Sequence, residues 1–255
     1  MKKIVLSIFI LVTILFLNKD IFAQQYYTYS RPSWVIGFGP AWNLATNDAY
    51  GRANYSPNSF NLADNYGMRW GFGGYLYGKY SPGKKKNDRI YLGFDYKGMV
   101  NSDFSDYNKT SYDIVTIDAG YEYLFFGTYG FRSYYGIGFT GNIINGSFEP
   151  NPADTLLNYA RSFESSFRVG MEVKAGLEFV FKNKKRNLGL NIGARYNLMN
   201  LFNDDNTAAF DGQTENLNLN DGDSNGGPGF KRYMGIVSID VGLNIYPDVK
   251  RVKRK

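Results

Sequence analysis

The sequence predicts an all-β chain folded as an eight-stranded antiparallel transmembrane β-barrel with up-and-down meander connectivity. Three observations carry that expectation. They are an apolar N-terminal leader, strand-length stretches whose connections alternate between short and long, and a period-two pattern that keeps charge off one strand face. Composition fits without deciding. The chain has 255 residues, with 22 Tyr, 20 Phe and 29 Gly. Its mean hydropathy of −0.36 is too polar for a helical membrane protein, but suits strands that alternate lipid-facing and lumen-facing residues. A soluble β-sandwich would have the same composition.

The leader comes first. Lys2 and Lys3 precede an apolar run from Ile4 to Leu17, broken only by Ser7 and Thr13, and Asn18-Lys19-Asp20 leads into Ile21-Phe22-Ala23-Gln24. This reads as a secretory signal peptide over 1–23 with cleavage after Ala23, followed by a short N-terminal segment, 24–32. The chain contains no cysteine, which excludes a lipoprotein anchor and disulfide stapling. Beyond the leader no apolar run approaches the ~18 residues of a spanning helix.

Period-two patterning predicts strands over 33–44, 66–80, 89–100, 111–125, 131–145, 163–181, 188–200 and 231–246, within a barrel spanning 33–246. Turn signals separate them, among them Ser81-Pro82-Gly83 and Lys182-Asn183. The connections 81–88, 126–130 and 182–187 are short, whereas 45–65, 101–110, 146–162 and 201–230 are longer. Short periplasmic turns alternating with long external loops are the expected layout of an outer-membrane barrel. A basic periplasmic tail, 247–255, would follow.

Charge placement distinguishes the faces. Over 89–100, Ile90, Leu92, Phe94, Tyr96, Gly98 and Val100 share one face, while Arg89, Asp95 and Lys97 share the other. Over 163–181 the odd positions from Phe163 and Ser165 to Phe181 are uncharged, and Glu164, Arg168, Glu172, Lys174 and Glu178 lie opposite. In a sandwich the charged face would meet water; in a membrane barrel it lines the lumen. The length of the apolar faces, the glycines on the charged face (Gly71, Gly93, Gly138, Gly193) and aromatics near the strand ends favour the barrel. Trp42, Tyr66, Trp70, Tyr112, Phe163 and Phe167 form one predicted interfacial girdle; Tyr80, Phe125, Phe131, Phe179 and Phe181 form the other.

The predicted lumen holds Arg69, Lys79, Arg89, Lys97, Arg132, Arg168, Lys174, Arg195 and Arg232 against Asp95, Asp118, Glu122, Glu164, Glu172, Glu178 and Asp240. An eight-stranded interior is only wide enough for side chains to fill, so these charges are expected to pair in a closed core. The chain has no histidine, which removes Ser-His, Cys-His and His-metal chemistry. No catalytic, cofactor-binding or metal site is therefore expected. Asp221-Gly222-Asp223-Ser224-Asn225-Gly226 matches the first six positions of a calcium loop, but Arg232 stands where the closing Glu belongs. A solvated acidic loop over 203–229 is the expectation. The long last loop is acidic, while Lys84-Lys85-Lys86, Lys182 to Arg186 and Lys250 to Lys255 make the other end basic.

With its Gly-rich inward faces, alternating strands and a start at Pro32-Ser33-Trp34-Val35-Ile36-Gly37, the chain over roughly 31–246 resembles the small outer-membrane β-barrel family that includes the outer membrane protein A transmembrane domain. The Ala23-Gln24 junction is similar to signal ends of Bacteroidota. The stretch Ile239 to Tyr246 resembles a barrel-assembly signal, although a basic tail follows it. The resemblance implies the cell outer membrane of a Gram-negative bacterium, lipid and lipopolysaccharide as surroundings, no nucleic-acid partner and a monomeric barrel. The functional expectation is a non-enzymatic envelope protein with a structural or surface-interaction role carried by its extracellular loops. An accessory barrel of a transport or secretion complex with a periplasmic protein partner is the alternative, or else a small-solute porin.

Overall fold

Residues that alternate between large apolar and polar side chains satisfy their backbone only by pairing with neighbouring strands, and eight such stretches can pair without a free edge by closing on themselves. The computed structural model describes residues 27–51, 65–83, 85–101, 109–127, 130–149, 161–181, 187–202, 204, 217–222 and 231–253. The predicted signal peptide, most of the long-loop residues and the turn 182–186 lie outside them.

Two short strands, β1 (Tyr27–Tyr29) and β10 (Arg251–Lys253), pair antiparallel as a separate ribbon that the patterning did not anticipate. The barrel consists of β2 (Trp34–Asn47), β3 (Trp70–Tyr80), β4 (Asp88–Val100), β5 (Lys109–Gly127), β6 (Phe131–Glu149), β7 (Arg161–Val180), β8 (Leu188–Leu198) and β9 (Met234–Ile245). Each strand pairs with the next, and β9 closes on β2. The register fixes the geometry. Starting at Ile36, the partners run Gly78, Leu92, Ala119, Phe139, Met171, Leu198 and Gly235, and the circuit returns to β2 at Thr46. That displacement along β2, taken over eight strands, corresponds to a strand tilt of about 40° and a radius of about 8 Å.

The two faces are inverted relative to a soluble protein. Phe72, Leu92 and Phe139 are 64%, 62% and 62% exposed on the outer wall, whereas Asp95, Glu122 and Glu178 inside are 0% exposed. Inward glycines make room for large interior rings. A Cβ on Gly138 would lie 2.3 Å from the Tyr91 hydroxyl, and one on Gly37 would lie 2.2 Å from the Tyr77 ring.

Several predicted placements need correction. Glu164 and Ser165 together face the single residue Asn145, because Ile144 pairs with Ser166 and Gly146 with Phe163. This bulge reverses the parity of β7 at its upper end, so Phe163 turns inward and Glu164 outward. β3 begins at Trp70 instead of at residue 66. Gly67 at φ 67° bends the preceding chain, and Met68 bridges in parallel to Tyr50, which buries Tyr66 and Met68. Arg69 itself stays in line with β3, its backbone bonded to Ala45 of β2 and Val100 of β4, and is half-buried. Tyr112 shares the inward parity of Asp118 and is buried. Tyr66, Tyr112 and Phe163 thus belong to the interior, not to a girdle.

Substituting Gly138→Ala is expected to destabilise the barrel by ~1–3 kcal/mol in denaturant-induced unfolding. At the outward Gly98, where a Cβ would meet nothing closer than 3.5 Å, alanine is expected to cost less than ~0.5 kcal/mol.

Candidate functional site

Among the described residues the lumen concentrates the chemistry-bearing groups, and it is layered along the barrel axis. Val35, Val180 and Tyr246 close the short-turn end with apolar contacts. Above them Arg89 donates from Nη1 to Glu122 Oε1 at 2.9 Å and to Glu178 Oε1 at 2.6 Å, and from Nη2 to Glu178 Oε2 at 3.1 Å. Lys79 Nζ donates to Glu122 Oε2 at 2.7 Å and lies 4.3 Å from the centroids of both Tyr77 and Tyr134. Arg132 completes this layer, 4.0 Å from Glu178 Oε2 and with its guanidinium 5.5 Å from the Tyr246 ring.

The next layer centres on Arg195. Its Nε and Nη2 grip Asp240 at 2.6 and 2.9 Å, and its two terminal nitrogens each reach Asp95 at 3.3 Å. Glu172 lies 3.6 Å from Arg195 Nη1 and 3.7 Å from Lys174 Nζ, which also lies 3.7 Å from Asp118. Lys97 pairs with Asp95 and donates to Thr116 Oγ1 at 3.0 Å. Thr116 then passes the network to uncharged groups: it donates to Asn142, Asn197 donates to the same Asn142 oxygen, and Thr140 donates to Asn197. A void of about 10 Å³ among Lys79, Asp118, Lys174 and Arg195 has room for one water molecule.

Toward the long-loop end the interior becomes apolar. Met68, Met99, Ile114, Ile144, Phe148, Met199, Met234 and Ile236 are buried together, with Tyr112 stacked on Phe163 at 5.3 Å. β8 ends at Leu198, opposite Met171, so β7 runs on past its neighbour. The last loop covers this edge: Leu217 exchanges backbone hydrogen bonds with Ser162 and Glu164, and Leu217 and Leu219 join the apolar cluster. Asp221 then turns inward. Its carboxylate takes an ion pair from Arg168 Nε at 2.7 Å and hydrogen bonds from Tyr66 at 2.5 Å and Asn200 at 2.9 Å. Burial, and then the adjoining Asp221 carboxylate, push the Tyr66 hydroxyl well above its usual range, so it remains a proton donor to Asp221.

The predicted lumen set is therefore brought together, with Arg69 half-buried and Glu164 alone turned outward. The uncharged Asn–Thr layer and the apolar plug escaped the sequence reading, although their inward parity was available in it. Asp221 carried no such signal, since its direction depends on a loop packing over the edge of β7. Its oxygens are committed to Arg168, Tyr66 and Asn200, which leaves the first position of the calcium-like stretch occupied by protein donors; residues 223–226 lie outside the described residues. Among the described residues no group of three or more His, Cys, Asp or Glu side chains could hold a metal.

These features define a closed antiparallel barrel with an apolar wall and a charged, filled interior. No protein-family model matches the sequence, and no curated protein matches it. Among solved structures the chain is similar to Neisserial surface protein A, at 14% identity and a TM-score of 0.48 over 86% of this chain and 99% of that one. It is also similar to Ail, the attachment invasion locus protein of Yersinia pestis, at 13% identity and 0.43 over 84% and 99%. The outer membrane protein OprG from Pseudomonas aeruginosa aligns at 10% identity and 0.43 over 85% and 97%. These are likenesses of fold; the barrel itself is defined by the closed hydrogen-bonded circuit.

Removing one member of the buried charge layer leaves its partners uncompensated. Glu178→Ala is expected to cost ~3–5 kcal/mol in urea-induced unfolding, whereas the outward Glu164→Ala is expected to cost less than ~0.5 kcal/mol. Asp221→Asn is expected to speed limited proteolysis within 201–230, because it weakens the ion pair that holds the loop inward; unchanged cleavage would refute that role.

Proposed function

We propose that this protein is a non-enzymatic outer-membrane β-barrel of the small, outer membrane protein A-like kind, monomeric in a Gram-negative envelope, with a structural or surface-interaction role carried by its long loops. The observation that carries the reading is the inverted polarity of the wall. Trp70 and Tyr80 bound a β3 of 11 residues, about 33 Å along the strand and about 25 Å along the axis at the inferred tilt. That matches the apolar band of an outer-membrane barrel. Ile36, Phe38, Leu76, Leu92, Phe94, Ile117, Ile137, Phe139 and Val241 occupy this band on the outside. In water so large a continuous apolar surface would drive aggregation; in a bilayer it is the solvated surface. The outward carboxylates Asp88 and Asp113 fall toward opposite strand ends, where each accepts the hydroxyl of a tyrosine, Tyr121 and Tyr96.

The lumen supports a scaffold more than a catalyst or pore. Its carboxylates are ion-paired to lysine or arginine, and the chain supplies no histidine or cysteine. The filled interior also disfavours a small-solute porin. The reading is tested by refolding the protein from urea into phospholipid vesicles. The expected result is insertion with protease-protected strands, and a loss of ~2–4 kcal/mol for Leu92→Arg in the middle of the band. A wild-type protein that stays monodisperse in buffer without lipid or detergent, with Leu92→Arg harmless, would contradict it.

A further inference from the structure

The short-turn end carries an exposed cluster of basic and aromatic side chains that takes no part in the lumen. Trp34 pairs in register with Tyr80, and their rings lie 4.6 Å apart on the outer wall with Trp34 51% exposed. Ser81 donates its N–H to Ser33 O, which lays the turn after β3 against the start of β2. Arg31 spans that turn, donating from Nη1 to Lys85 O at 2.7 Å and to Asn87 Oδ1 at 2.5 Å. Lys85 is exposed, and half-buried Lys86 donates to Ser81 O at 2.8 Å.

Two carboxylates near this cluster are engaged elsewhere. Asp248 accepts the N–H groups of Ser33 and Trp34 at 2.7 and 3.3 Å, and Asp88 accepts the Tyr121 hydroxyl. Among the described residues neither pairs with Arg31, Lys85 or Lys86. Among the described residues no carboxylate forms an ion pair with these three cations, and the turn that carries them is tied to the start of β2 and so to Trp34 and Tyr80. The basic turn Lys182 to Arg186 lies outside the described residues and is not part of the site.

We propose that Arg31, Lys85 and Lys86, with Trp34 and Tyr80, form a binding site for the headgroup of an anionic phospholipid in the leaflet at the short-turn end. This rests on the membrane reading above. Amphipathic rings settle at the depth of the lipid glycerol and headgroups. A guanidinium beside two ammonium groups suits a phosphodiester that carries net negative charge, and basic residues at this depth attract anionic lipid. A zwitterionic headgroup offers the same phosphate but brings its own cation, which the cluster repels.

Tryptophan placement supplies the assay. Trp42→Phe/Trp70→Phe leaves Trp34 as the sole reporter at this end, and Trp34→Phe/Trp70→Phe leaves Trp42 at the other. Each variant is refolded into mixed vesicles in which either the phosphatidylglycerol or the phosphatidylcholine is brominated, and quenching gives the relative affinity of each lipid. Trp34 should favour phosphatidylglycerol by at least about fivefold. That preference should fall toward unity in Lys85→Gln/Lys86→Gln, while Trp42 shows none. Equal quenching of Trp34 by both lipids overturns the proposal with the membrane reading intact. Quenching by neither lipid overturns both.

Discussion

Arg89 enters the lumen from β4 with its guanidinium between Glu122 of β5 and Glu178 of β7, and much of the molecule follows from keeping those three charges together. Such groups are tolerated away from water only when paired and hydrogen-bonded. Strands β4, β5 and β7 can deliver them to one point only if the sheet curls so that all three present the same parity inward. Once that parity is set, the alternate positions must face outward, and they are the isoleucines, leucines and phenylalanines of the wall. The apolar exterior and the charged interior are two consequences of one register.

The same register limits what the interior can hold. With a radius near 8 Å, the lysine and arginine stems and the tyrosine rings occupy nearly all the available space, and glycines such as Gly138 admit the rings that would otherwise collide with the wall. Going up the axis, paired ions give way to an Asn–Thr network and then to methionine, isoleucine and aromatic side chains. The change coincides with strands of unequal height: β5 to β7 continue past the ends of their neighbours, and the described part of the last loop, 217–222, lies over the exposed edge of β7. Asp221 joins that loop to Arg168 and Tyr66, so the long-loop end is closed by a buried ion pair resting on an apolar plug.

Much of this was legible in the sequence, for a physical reason. The side-chain period of a strand is two, so a charge at one position fixes the face of its neighbours for as long as the strand stays regular. Arg89, Asp95, Lys97, Asp118, Glu122, Glu172 and Glu178 are therefore placed in the lumen by the sequence pattern alone. The reading failed where regularity failed, and also at Tyr112, which was assigned to a girdle although it shares the parity of Asp118 along a regular stretch of β5. Phe163 and Glu164 exchanged faces because of a bulge whose position depends on pairing with β6, which one strand's sequence does not encode. Tyr66 and Met68 kept a strand-like alternation although Gly67 bends the chain out of the wall. Asp221 looked like a solvated loop acid because its partners, Arg168, Tyr66 and Asn200, are remote in sequence. The aromatic cluster at Trp34 and Tyr80 was foreseen in part, but its link to Arg31 emerges only when the first turn is folded.

The central claim is that the lumen is a filled, ion-paired core and not a conduit. Single-channel recording of the purified protein in planar bilayers tests it most directly. The account predicts that inserted wild-type barrels give no stable conductance steps, because charged pairs and an apolar plug block the axis in series. A steady, reproducible opening in each inserted wild-type barrel would contradict it.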